Sequence, residues 1–359
     1  MKLSVFAVLL ADKSLDEACK YLADSGVQAV EIGCGGFPGK AHCNPEELLK
    51  DDKKIAEFKN TIEKHGLEIA ALSTHGNAVH PDPAVAKVFH DDFVNTVLLA
   101  EKLGIDRVIT FSGCPGGSPE DKTPNWVTCP WPDDFSHIVE YQWNEVLVPY
   151  WKKMTAFAAE HGIKKIAFEM HPGFCVYNPE TLMKLRNLVG SDLIGANFDP
   201  SHLFWQGIDP VYAIRYLGKA IYFFHAKDTK IDEINTKTHG VLDTKHYGDE
   251  IHRSWIFRSV GYGHDYQVWK DMMSALRMVG YEHIPSTLMR AETMAGFRSD
   301  KQKFISRARR ELVGMGLYEI LNYSFISPRW LEYLGIPSAD WRLDPVQLRN
   351  PLGEDTSVM

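Results

Sequence analysis

Glu169, Asp199 and His225 carry the strongest chemical signal in this chain of 359 residues. Each lies near the end of a short apolar run: KKIAFEM (164–170), LIGANFD (193–199) and AIYFFHAKD (220–228). Two carboxylates and an imidazole on consecutive runs offer hard oxygens and one nitrogen, a donor set suited to Mn²⁺, Mg²⁺, Co²⁺ or Zn²⁺. A divalent ion held there can bind two adjacent oxygens of a polyhydroxylated carbonyl compound and polarise its carbonyl. A carboxylate beside it can then remove the proton from the adjoining carbon, giving an enediolate. Glu31, His75, His171, His202 and Lys227 also fall where apolar runs finish. For any single histidine a buried, hydrogen-bonded role is the plainer reading. Their recurrence at successive run ends is what argues for a site.

Positioning these residues requires a repeated unit of strand, loop and amphipathic helix. Apolar β-rich runs occur at 3–10, 29–33, 68–75, 107–113, 164–170, 193–199 and 220–228. Helical stretches lie between them, among others at 15–25, 52–65, 84–103, 141–161, 179–189 and 209–217. Several strands follow a helix stop such as Lys64-His65-Gly66 or Glu160-His161-Gly162, as glycine C-caps predict. Near-continuous apolar strands alternating with helices imply a parallel sheet covered on both faces. Seven such units over about 280 residues suit a (β/α)8 barrel lacking one strand. A doubly wound open sheet is the alternative, but no Gly-rich phosphate loop follows the first strand. In a barrel, residues at strand C-termini converge on one face.

The bulk composition sets outer limits. A formal charge of −8, from 39 basic and 47 acidic residues, disfavours binding to nucleic acid or anionic membranes. Six cysteines without CxxC spacing read as reduced thiols of a cytoplasmic protein. The opening MKLSVFAVLL reads as a buried first strand rather than a signal peptide, since no small-x-small cleavage site precedes Asp12. No run approaches the roughly 20 apolar residues of a membrane span.

KIAFEMHPG (165–173), GANFDPSHLFWQGIDP (195–210) and FHAKDT (224–229) resemble the fifth, sixth and seventh strand motifs of the sugar phosphate isomerase/epimerase family, the xylose-isomerase-like barrels. The resemblance covers residues 1 to about 281, including HGN (75–77), PNWVTCPWP (124–132) and VGYGHD (260–265). It implies Glu169, Asp199 and His225 as metal ligands, with Glu169 also the proton-transfer base. It places His202 on the substrate, a sugar or sugar phosphate, and His75 in the pocket wall. By a weaker analogy Arg253 or Arg258 binds substrate hydroxyls or phosphate. His171 and Lys227 read as orienting groups, and Trp126 and Trp131 either stack on a sugar ring or cover the barrel mouth. A homo-oligomeric state is left open.

The family's eighth strand carries a further glutamate, both metal ligand and second acid/base. Here the sequence runs EHIPSTLMRAETMAGF, with Leu288 at the expected position, Glu282 at the wrong end and Glu292 beyond it. From about 280 onward, GYEHIPSTL, RARRELVGMGLYEILNYSFISPRWLEYLG and LRNPLGEDTSVM resemble part of the bacterial phenylalanyl-tRNA synthetase β subunit. The expected organisation is therefore an incomplete barrel over 1–281 and an unrelated α+β segment over 282–359. That segment reads as a helix (about 299–315), a strand (317–325), a short helix (328–334) and a strand (345–349). Two other functions stay in view: a synthetase-related docking role for the tail, and a metal-dependent abasic-site endonuclease of the same fold. The latter needs a larger metal cluster and a basic groove.

Overall fold

The computed structural model describes residues 2–281 and 300–316, together with Ser327, Arg329, Tyr333, Gly335, Asp340, Asp344 and Gln347. The chain divides into two compact units, Met1–Pro285 and Ser286–Met359. In the first unit seven parallel strands are hydrogen-bonded in sequence order: β1 (Ser4–Phe6), β2 (Ala29–Gly36), β3 (Glu68–His75), β4 (Arg107–Thr110), β5 (Lys165–Glu169), β6 (Ile194–Phe198) and β7 (Ile221–Phe224). This is the TIM-barrel order, and an open doubly wound sheet is excluded by it.

Helices cover the sheet because their ends are encoded locally. Ser14, Asp51, Asp82, Asn178 and Asp209 each accept a backbone N–H at a helix start, and proline occupies the first turn at Pro83, Pro179 and Pro210. Gly104 and Gly190 close two of these helices in the left-handed conformation. The helical stretches anticipated at 84–103, 179–189 and 209–217 are observed as Pro83–Leu103, Pro179–Val189 and Pro210–Leu217.

Two runs break earlier than their apolar composition suggests. β1 stops at Phe6, and Ala7–Leu10 forms a 3₁₀ turn in which Leu9 is 76% exposed. The run 220–228 ends its strand at Phe224; Asp228 instead opens β8 (Asp228–Ile231), antiparallel to β9 (Trp255–Arg258). Apolar content alone cannot say where a strand leaves its sheet. The two outermost strands are also the least covered: every residue of β1 and β7 is partly exposed, whereas every residue of β6 is buried.

Alternation along the strands decides what lines the interior. Ala71, Ile109 and Ala167 form a small buried cluster with Tyr222 and Phe223, the floor of the barrel. Two residues further along β3 and β5 the same faces carry Ser73 and Glu169, and His225 follows Phe223 at the same interval. Registers Glu31–Ala71 and Glu169–Asn197 bring the polar rungs alongside one another.

In the second unit the described helix Asp300–Gly314 agrees with the expected one. The anticipated strand at 317–325 and the eighth-strand segment with Glu282, Leu288 and Glu292 lie outside the described residues, as do 328–334 apart from Arg329 and Tyr333 and 345–349 apart from Gln347.

Candidate active site

Five strands, β2, β3, β5, β6 and β7, deliver a cluster of carboxylates and imidazoles. Glu169, at the end of β5, is ringed by three histidines: His202 Nε2 lies 3.1 Å from Oε1, while His75 Nε2 and His225 Nδ1 lie 3.1 and 3.2 Å from Oε2. Burial alone would raise this carboxyl, but the contacts from His202, His225 and His75 outweigh it and hold it well below the usual carboxylate range. Asp199, one residue past β6, accepts the Ser201 N–H at 2.9 Å and stands 3.4 Å from His202 Nε2. Among the described residues one group could hold a metal ion: Glu169, Asp199 and His202, with one ligand atom from each lying within 4.8 Å of the others.

His225 reaches both sides of the barrel. Its Nε2 meets Glu31 Oε2 at 2.7 Å and its Nδ1 faces Glu169. Burial would lower this imidazole, but Glu31 and Glu169 hold it well above the ordinary histidine range. Glu31 is 1% exposed and accepts the Ser73 hydroxyl on its other oxygen. It fixes His225 through Nε2 and leaves Nδ1 turned to Glu169, the carboxylate–histidine arrangement that orients metal-binding imidazoles. Asn197 Nδ2 touches Glu169 Oε2 at 3.2 Å, and its buried Oδ1 has no partner. His75 Nδ1 is likewise buried without one. Hard oxygens, imidazole nitrogens and buried polar atoms with no partner fit a divalent ion and an oxygen-rich substrate.

His171 packs against His202 with ring centroids 4.1 Å apart and planes tilted by 54°, and it donates Nδ1–H to the Pro172 carbonyl at 2.6 Å. Burial and the neighbouring His202 push it down to about 3, so its ring is neutral. Lys227 Nζ sits 3.9 Å from Asp199 Oδ2 and 3.6 Å above the Phe257 ring, which also meets His202 edge-on. The described structure thus brings together Glu169, Asp199, His225, His202 and His75. Arg253 and Arg258 are placed otherwise. Arg253 is 2% exposed, bonded to the carbonyls of Trp255 and Lys245, with its guanidinium over the Tyr247 and Trp255 rings. Arg258 pairs with Glu250 at 2.6 Å. All these partners lie within residues 245–258. Trp126 packs edge-on against Tyr177, while Trp131 is 74% exposed.

The 228–258 excursion is acid-sensitive for a local reason. Burial would raise Asp243, but the N–H groups of Ser254 and Lys245, the Lys245 ammonium and Arg253 hold it at about 2. A depressed folded value gives stabilisation that is complete above the ordinary 3.8 and is lost as pH falls from there through about 2. Hydrogen exchange of 240–258 is expected to accelerate over that interval, and Asp243→Asn should remove the step. An Asn variant with the same acid profile would refute the assignment.

Comparison with known proteins agrees with this fold. Residues 19–302 match the family model of the xylose isomerase-like TIM barrel, and the chain belongs to that family. It is 40% identical over 304 residues to the uncharacterized protein YfiH of Bacillus subtilis strain 168, covering 83% of this chain and 96% of that one. A xylose isomerase-like TIM barrel protein from Mycobacterium smegmatis in complex with magnesium superposes with TM-score 0.53 at 15% identity, over 78% of this chain and 87% of that chain. A D-psicose 3-epimerase in the presence of D-fructose gives TM-score 0.50 at 15% identity, over 78% and 82%. Residues 284–359 match a different model, the phenylalanyl tRNA synthetase beta chain CLM domain. The phenylalanine–tRNA ligase beta subunit of Clostridium acetobutylicum is 36% identical over 83 residues, 23% of this chain. The chain spans only 10% of that subunit's length. Both resemblances read from the sequence are thus borne out.

Glu31, Ser73 and Asn197 are the members of the cluster to which the sequence reading gave no role. A glutamate inside the apolar run AVEIG and an asparagine inside LIGANFD were the available signals.

Proposed function

We propose that residues 1–281 form a metal-dependent isomerase or epimerase domain acting on a sugar or sugar phosphate, with 282–359 a separate synthetase-like segment. The observation that carries this reading is the buried Glu169 carboxylate, with His75, His202 and His225 around its two oxygens and Asp199 beside His202. Glu169, Asp199 and His225 would hold the ion, His225 being oriented for that by Glu31; His202 would contact the substrate. When bound, a divalent ion supplies a Lewis acid for the substrate carbonyl. Glu169 takes the proton from the adjoining carbon, and the electron pair of the broken C–H bond moves into an enediolate. His202 and His75 donate to the substrate oxygens, and the surrounding apolar walls exclude water. Return of a proton to the opposite face gives the epimer; return to the neighbouring carbon gives the isomer.

Epimerisation needs a second group on the far face, and the sequence has Leu288 where the family has a glutamate. General acid–base groups contribute about 10² to 10⁴ in rate, so the chain as it stands should turn over slowly. The test is turnover across a panel of ketoses, with metal content measured on the same samples. A chain given a family-like eighth strand with glutamate at 288 should gain about 10²- to 10⁴-fold. Full activity of the unaltered chain would refute the functional break, and no turnover by either protein would refute the isomerase reading. Among the described residues one group of three could hold a metal ion, which favours this over an endonuclease with a larger cluster.

A further inference from the structure

Beside the cluster lies a cavity of about 330 Å³, lined by Phe37, Phe89, Phe174, Val85, Asn77 and His80 among others. Its walls come from the loops after β2, β3 and β5 and from the first turns of the helix Pro83–Leu103, which places it on the same face as the strand ends. A volume near the lower end of about 300 to 1,000 Å³ suits a small organic ligand.

Its lining differs in kind from the cluster. The three phenylalanines enclose it, with Phe37 and Phe89 centroids 5.2 Å apart and Phe37 and Phe174 6.4 Å apart. Phe37 is 64% exposed at the rim of the cavity, yet its backbone is held firmly. Gly36 has φ +67°, and a Cβ there would lie 2.0 Å from the His75 carbonyl oxygen, so glycine is required. The Phe37 N–H donates to that same oxygen at 2.7 Å, and the Gly36 N–H donates to buried Asp92 at 2.8 Å. The turn that presents Phe37 is therefore anchored on the strand end carrying His75.

Polar capacity in the cavity is small. The Asn77 amide is already committed, Nδ2 to the Cys114 carbonyl at 2.8 Å and Oδ1 to the Cys114 N–H at 3.0 Å. His80 accepts the Asp82 N–H on Nδ1 at 3.0 Å, leaving Nε2–H as a donor at the edge. A bare ketose has a hydroxyl on nearly every carbon, and those entering this cavity would lose water without finding partners. An apolar flat ring loses nothing comparable and gains contact with aromatic faces. A relay of ring contacts links the cavity wall to the cluster: Phe174 meets His171 edge-on at 5.7 Å, and the His171 ring lies tilted against His202.

We propose that the substrate carries an aromatic or similarly flat apolar ring on its polyhydroxylated part, and that this cavity is the subsite for that ring. Only the location of the reacting end rests on the isomerase reading; the subsite itself rests on the cavity. The matched probes are phenyl β-D-glucopyranoside and methyl β-D-glucopyranoside, with binding to the full chain measured by titration calorimetry or saturation-transfer NMR. The phenyl compound should bind about tenfold more tightly, or about 1.4 kcal/mol. Phe37→Ala, at an exposed position, should remove most of that preference and leave methyl glucoside unchanged. Val85→Trp, which fills the cavity, should do the same. Equal binding of the two probes, no binding of either at millimolar concentration, or a preference that survives both variants would each overturn the proposal. A preference lost in Phe37→Ala, in a protein that neither retains metal nor turns over any ketose, would leave the subsite standing and the isomerase reading refuted.

Discussion

Asp199→Ala is expected to bind Mn²⁺ more than about 100-fold less tightly than the unaltered chain, as measured by calorimetric titration. The reason is local. Asp199 is 2% exposed, and beyond the Ser201 N–H its carboxylate faces the cluster, so no surface group can take its place. His225→Gln should weaken binding to a similar degree. His202→Gln should instead leave metal affinity within a few-fold and act on substrate binding. Glu31→Gln removes the carboxylate that orients His225 and should cost about 10- to 100-fold, the usual range for a group one bond removed from the ion. An Asp199→Ala protein with unchanged affinity would sink the metal assignment. Loss of affinity in His202→Gln but not in His225→Gln would move the third ligand to His202.

The second large effect concerns stability. Asp228 is fully buried and acts as an acceptor hub: Oδ1 takes the Thr229 N–H at 2.8 Å and His264 Nδ1 at 2.8 Å. Oδ2 takes the N–H groups of Gly261, Gly263 and His264 at 3.0, 3.0 and 3.1 Å, and the Trp269 indole at 3.3 Å. The approach is so close that a Cβ on Gly263 would stand 2.3 Å from the Thr229 carbonyl oxygen. Asp228→Ala would leave these partly buried donors unmatched, and the expected loss is about 3–5 kcal/mol in urea unfolding. A loss below about 1 kcal/mol would show that water replaces the carboxylate, contradicting its role as the organiser of the 260–265 loop.

This hub also shows how far the sequence could be read. VGYGHD and FHAKDT stand out as motifs from their residues alone, yet nothing in their spacing says that the aspartate of one binds the glycine amides of the other. Periodicity, by contrast, is a local property, and it located the strands and helices well. Glu169, Asp199 and His225 were legible because a charge at the end of an apolar strand has few explanations. Glu31 and Asn197 were harder to assign. Their roles depend on which residue stands opposite across the barrel, and that is set by strand register rather than by neighbours in the chain. Arg253 illustrates the opposite limit: a basic residue in a long loop suggests substrate contact, but here carbonyls and aromatic faces already surround it. Aromatic residues such as Phe37 gave no advance signal, since composition does not distinguish a cavity wall from ordinary core.

The Glu31–His225 contact has a mechanical meaning beyond its chemistry. Glu31 belongs to β2, the strand next to β1, and His225 follows β7, so the pair links strands near the two ends of the described order. A ladder of this kind opens most easily at its ends, where each strand is held from one side only. The pair acts as a strut between them, and Glu169, which meets the same imidazole, ties the strut to the middle of the sheet. Breathing of the outer strands is therefore expected to loosen the cluster with them. The residues best placed to do chemistry are also those that tie the early strands of the described sheet to its last.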